Sequence, residues 1–82
     1  MKKIAVILSG CGVFDGSEIH EATLALLAIK QAGCVYSIFA PNVEQTEVVN
    51  HFSGSIAHEK RNILEEAARI ARGKAQPLEN LN

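Results

Sequence analysis

The sequence predicts an α/β fold built on a mainly parallel sheet, and three features carry that reading. Residues 4–8 form one continuous aliphatic run, residues 34–40 form a second, nearly all-apolar run, and between them apolar positions recur at helical spacing. A strand covered on both faces reads as an unbroken apolar run, and two such strands joined by a helix make a right-handed βαβ unit.

The first run, Ile4-Ala5-Val6-Ile7-Leu8, ends at small residues, and Gly10, Gly12 and Gly16 break the chain after it. Asp15 or Ser17 can cap the helix that follows. Its apolar set is Ile19, Ala22, Leu26, Leu27 and Ile29, and Gly33 supplies the stop. Strand 34–40 closes at Pro41-Asn42, since a proline disfavours continuation. Residues 46–50 read as a short edge strand and 51–55 as a turn. From 58 to 72, Ile63, Leu64, Ala67, Ala68 and Ala71 share a helical face, with Glu65 and Arg69 as an i,i+4 pair opposite. Residues 74–82 have neither period and read as a linker toward an absent remainder. The expectation for 1–82 is therefore a βαβ(β)α portion of one larger layered domain, because two helices cannot cover both faces of nearly all-apolar strands.

Composition narrows the function. At 82 residues the chain holds one compact unit, and 48% hydrophobic with 21% charged residues is globular. A formal charge of −1 gives no field to hold nucleic acid or an anionic membrane. No segment approaches the roughly 20 apolar residues of a membrane helix. Cys11 and Cys34 fit neither a metal knuckle nor a disulfide framework, so a reducing, cytoplasmic setting is expected.

Several residues could carry chemistry. Gly10-Cys11-Gly12-Val13-Phe14-Asp15-Gly16 stands where a dinucleotide fold places its phosphate loop, but the third glycine is one position late and no acidic residue ends the second strand. The plainer reading is a sharp turn at the carboxyl end of a strand, which is also where open α/β sheets bind ligands. Cys11 near a helix amino terminus could be acidified into a nucleophile, or could be a small packed hydrophobe. Glu18 and Glu21 are three apart on the first helical turns; they stabilise the positive end of the helix dipole, or one of them faces the strand ends as a proton donor or acceptor. His51 and His58 have no metal-ligand spacing and read as solvated. Arg69 and Arg72 suit a helix carboxyl terminus.

Residues 2–22, and within them Ser9-Gly10-Cys11-Gly12 and Gly16-Ser17-Glu18-Ile19-His20-Glu21, closely resemble the start of the ElbB-like family of isoprenoid-biosynthesis glyoxalases. Phe39-Ala40-Pro41, Val49-Asn50-His51 and residues 61–73 continue the resemblance in the same order, so it spans nearly the whole chain. That family lies in the PfpI-like class I glutamine amidotransferase-like superfamily. The resemblance implies the amino-terminal part of a flavodoxin-like three-layer α/β/α sandwich. It also implies a cofactor-independent enzyme that converts small 2-oxoaldehydes to hydroxy acids, acting as a homodimer in the full-length parent.

The resemblance further implies a catalytic cysteine on a strand-to-helix elbow with a glutamate of the first helix beside it. Glu21 matches that glutamate, Glu18 is the second choice, and Gly10, Cys11, Gly12 and His20 would wall the substrate pocket. The elbow cysteine would lie beyond residue 82, so the chain alone is expected to be inactive. A non-catalytic binding or assembly module of the same fold is the alternative.

Overall fold

The computed structural model describes residues 2–81. Strand β1 (Lys3–Ile7) leads through the glycine loop to helix α1 (Ile19–Gln31) and then to β2 (Val35–Ala40). A long excursion over residues 41–62 precedes α2 (Ile63–Ala71), β3 (Ala75–Pro77) and a single 3-10 turn over Leu78–Asn80. The sheet is parallel throughout, in the order β1-β2-β3, with Val6 beside Ile38 and Ile38 beside Ala75. Two successive right-handed crossovers in one direction put both helices on the same face.

That face carries the core. Val6, Tyr36, Ile38, Ala40 and Ala75 alternate along the strands toward Ala22 and Leu26 of α1 and toward Ala67 and Ala71 of α2. Ala40 and Ala67 are fully buried, and two small side chains at one contact let α2 lie close on the sheet. The opposite face is uneven. Ala5 and Ile7 of β1 are exposed, Ile7 by 56%, whereas Phe39 is buried. The chain thus holds two of the three layers of a flavodoxin-like sandwich, in agreement with the fold class expected from sequence.

Helix ends show where local chemistry decided the boundaries. The cap of α1 is Glu18, not Asp15 or Ser17; its side chain accepts the Glu21 amide at 2.7 Å. The helix stops in a Schellman pattern, with Cys34 N–H donating to Ile29 O and Gly33 N–H to Lys30 O, and Gly33 at φ +79° supplies the left-handed residue. Of its expected apolar set, Ala22 and Leu26 are buried, whereas Ile19 and Leu27 are about half exposed. Helix α2 starts at Ile63 instead of about 58, because Asn62 caps it by accepting the Glu65 amide and the preceding residues pair with the excursion's first limb.

Two further expectations change. Residues 46–50 form no strand; the excursion closes on itself through isolated antiparallel bridges, Glu44 with Asn62 and Val49 with Ile56. Asn82 lies outside the described residues, and residues 74–81 are not a plain linker, since β3 occupies their first part. The edge of β2 offers unpaired backbone groups there, and Ala75 adds an apolar side chain to the core.

Close packing at Ala67 predicts that Ala67→Leu destabilises the chain by about 1–3 kcal/mol, the usual cost of overpacking a filled contact. Ile7→Thr on the open face should stay within roughly 0.5 kcal/mol. Urea melts compare the two; equal losses would contradict a closed helix–sheet contact on one face only.

Candidate functional site at the carboxyl end of the sheet

Beyond β1 the backbone folds over itself. Ser17 N–H donates to Ser9 O at 2.6 Å, Ser9 N–H to Ser17 Oγ at 2.9 Å, Gly12 N–H to Ser17 O and Gly16 N–H to Gly12 O. A β-carbon on Gly16 would sit 2.6 Å from Ser9 O and 2.7 Å from Cys11 N, so only glycine allows this crossing. Gly12, at φ +147°, leaves room for the Asp15 carboxylate and the His51 ring, each of which a β-carbon there would meet at under 3 Å.

The excursion packs onto this loop through side chains. Asp15 Oδ2 accepts the Val49 amide at 2.8 Å, His51 Nε2 accepts the Phe14 amide at 3.3 Å, and the Phe14 and His51 rings stack at 5.0 Å. Between loop and excursion lies a cleft of about 270 Å³, lined among others by Cys11, Asp15, His51, Glu59 and Arg61. Arg61 also donates to Glu66, a buried residue of α2, which Arg69 engages at 2.9 Å. Arg69 therefore pairs with Glu66 at i,i+3 and not with Glu65 as its spacing suggested. Two arginines and two carboxylates, Glu59 and Glu66, make a neutral group beside the cleft.

Cys11 faces this cleft, but its environment opposes the acidified thiol considered from sequence. Burial pushes the Cys11 thiol up, Arg69 works against that rise, and Glu66 and Asp15 add to it. The thiol is therefore protonated near neutral pH and a weak nucleophile.

The two candidate carboxylates differ sharply. Glu18 is spent on capping: the Glu21 amide, and then the His20 ring at 3.0 Å, hold its carboxyl below the usual range. Glu21 is exposed on the first turn, and among the described residues its carboxylate has no hydrogen-bond or ion-pair partner. His20 is 90% exposed and leans on Glu18. Gly10 and Gly12 shape the loop. The structure thus groups Glu18, His20 and Glu21 on one helical turn and Cys11 in the cleft with Asp15 and His51. The cleft was missed in sequence, where Asp15 looked like a helix cap and His51 like a solvated turn residue; their partners are more than 30 positions away and leave no local pattern.

A carboxyl held low in the folded state adds stability above its unfolded value, near 4.3 for glutamate, and loses it as pH falls through the folded one. The melting temperature of Glu18→Gln should therefore lie below that of the unsubstituted chain at pH 7, and the gap should close as pH drops below about 4. A gap that persists into strong acid would contradict an ionised Glu18 cap.

No helix among the described residues is long and apolar enough to cross a membrane. No family model matches the chain. It is 49% identical over 81 residues to the human glutamine amidotransferase-like class 1 domain-containing protein 3, mitochondrial, covering 98% of the chain and 30% of that protein. It is 48% identical over 81 residues to the rat ES1 protein homolog, mitochondrial, with the same coverage of each. The zebrafish ES1 protein, mitochondrial, is 39% identical over 72 residues, 87% of the chain and 27% of that protein. A crystal structure of an isoprenoid biosynthesis protein with an amidotransferase-like domain from Ehrlichia chaffeensis superposes with a TM-score of 0.96 at 45% identity, over all of the chain and 39% of that protein. The chain thus spans less than a third of the length of these mammalian and fish relatives. In sequence and in its flavodoxin-like α/β fold the chain thus matches part of the class 1 glutamine amidotransferase-like proteins.

Proposed function

We propose that this chain is the carboxylate-bearing part of a glyoxalase-type enzyme acting on small 2-oxoaldehydes, with Glu21 as the proton-exchanging group. The observation that carries the reading is the division of labour on the first turn of α1. Glu18 is committed to the helix cap, so Glu21 is the carboxylate left available beside the glycine loop. The resemblance of Gly16-Ser17-Glu18-Ile19-His20-Glu21 to the family motif selects the same residue.

In this reading the nucleophile is a cysteine outside the 82 residues. Its thiolate adds to the aldehyde carbon to give a hemithioacetal, and the glutamate returns and removes protons as the carbon skeleton passes to a hydroxy acid with net addition of water. Cys34 is no substitute: it sits at the start of β2 with its thiol turned toward Ala32 O. Gly10, Cys11, Gly12 and His20 contribute one wall of the pocket, and no cofactor is called for. We place the protein in the cytoplasm on its two free thiols, although the three relatives are named mitochondrial. The working form is a homodimer of the longer protein.

A second reading, an assembly module without catalysis, rests on exposed apolar surface. Ile7 on the sheet, Leu24 and Leu27 on α1, and Phe52 at the excursion tip are all half exposed or more. It predicts a stable complex through these faces and no role for Glu21.

In a protein carrying this segment within the whole domain, Glu21→Gln should lower turnover of glyoxal or methylglyoxal about 10²-fold or more. Glu18→Gln should cost far less turnover while lowering the melting temperature. Hydroxy-acid detection with both variants checks this; full activity in Glu21→Gln would remove the proposed role.

A further inference from the structure

We infer that His51 is a proton-controlled latch between the glycine loop and the excursion: one proton taken up at Nε2 switches that nitrogen from the Phe14 amide to the Asp15 carboxylate. The inference goes beyond the glyoxalase reading and does not depend on it.

Two backbone groups define the neutral ring. Nδ1 lies 3.0 Å from the Val49 carbonyl oxygen, which can only accept, so Nδ1 carries the hydrogen. Nε2 lies 3.3 Å from the Phe14 amide, which can only donate, so Nε2 holds the lone pair. The same Nε2 is 3.7 Å from Asp15 Oδ1, beyond hydrogen-bond range for a neutral ring but close enough to attract a cationic one. When solvent delivers a proton to Nε2, both ring nitrogens become donors. The Phe14 N–H then faces an N–H, and Asp15 Oδ1 is the acceptor within reach.

Access and chemistry suit such a change. The His51 side chain is 38% exposed while that of Asp15 is 6% exposed, so water reaches the ring and the carboxylate stays fixed by the Val49 amide. Imidazole is the side chain whose ordinary titration falls between about pH 5 and 8. The other titratable or charged groups around the cleft are the Cys11 thiol from the glycine loop and Glu59 and Arg61 from the excursion, with Glu66 and Arg69 of α2 behind Arg61. Arg61 and Arg69 are already engaged by Glu59 and Glu66, which leaves Asp15 as the partner for a charged ring. Because Phe14 is 59% exposed and stacked on His51 at 25°, turning the imidazole also moves the aromatic side chain packed against it.

Labelling histidine rings and phenylalanine amides with nitrogen-15 and titrating the chain from about pH 8 to about pH 5 tests the latch. The neutral His51 ring is expected as the Nδ1–H tautomer, and the Phe14 amide is expected to shift in step with the His51 ring. In His51→Gln the Phe14 response should vanish, and in His20→Gln it should remain. An Nε2–H tautomer of the neutral ring, a Phe14 amide that stays still while His51 titrates, or a Phe14 response that survives in folded His51→Gln overturns the inference. The tautomer and the coupled shift are read in the unsubstituted protein, so they decide the question even where a variant does not fold.

Discussion

The carboxylate of Asp15 holds together two segments that no regular secondary structure joins. One is the glycine loop after β1; the other is the 41–62 excursion, longer than the roughly 12–15 residues beyond which a connection without its own elements is uncommon. Asp15 Oδ2 accepts the Val49 amide, and Oδ1 stands beside the His51 ring. A charged, nearly buried acceptor on a backbone donor contributes about 1.5–3 kcal/mol net, comparable to what a few ladder bonds of an edge strand would give. Gly12 makes this possible by leaving the space that both side chains occupy. The cleft and the His51 latch lie between the two segments that this contact fastens.

A second set of polar contacts ties the same excursion to the core from the other side. Arg61 reaches from the excursion's last residues to Glu66 of α2, and Arg69 reaches the same oxygen from one turn along. Glu66 lies next to Ala67, the fully buried residue that seats α2 on the sheet. The excursion is thus anchored at both limbs, to the loop through Asp15 and to the helix layer through Arg61. The thiol of Cys11 sits among these charges, and its raised pKa is the outcome of burial that the arginines only partly offset.

Sequence reasoning found the elements whose signal is periodic and missed those whose signal is a partner. The aliphatic runs gave β1 and β2, the i,i+3/i+4 apolar sets gave α1 and α2, and an unbroken family motif over residues 2–22 pointed to the fold and relatives reported above. β3 escaped because the three residues Ala75-Gln76-Pro77 are too few to establish a period; it exists because β2 has an open edge. Sequence places the start of α2 too early because Glu59, Lys60 and Arg61 favour helix, whereas the pairing of residues 61–63 with residues 43–45 and the Asn62 cap set the start at Ile63. At the candidate site, spacing placed Glu18 and Glu21 together, but only the hydrogen bond to the Glu21 amide separates the capping residue from the available one. Asp15, His51, Arg61 and Glu66 act across the fold, which no local pattern encodes.

Hydrogen exchange at the Val49 amide tests most directly whether a side-chain carboxylate does the fastening. Val49 sits in an isolated bridge with Ile56 whose backbone hydrogen bonds run through Val48 O and Asn50 N, so the Val49 amide has the Asp15 carboxylate as its acceptor and would exchange freely without it. The account predicts slow exchange, with protection approaching that of the β2 amides, and its loss in Asp15→Ala while the β2 amides remain protected. Exchange at the rate of an open loop in the unsubstituted chain, or protection unchanged by Asp15→Ala, would contradict it.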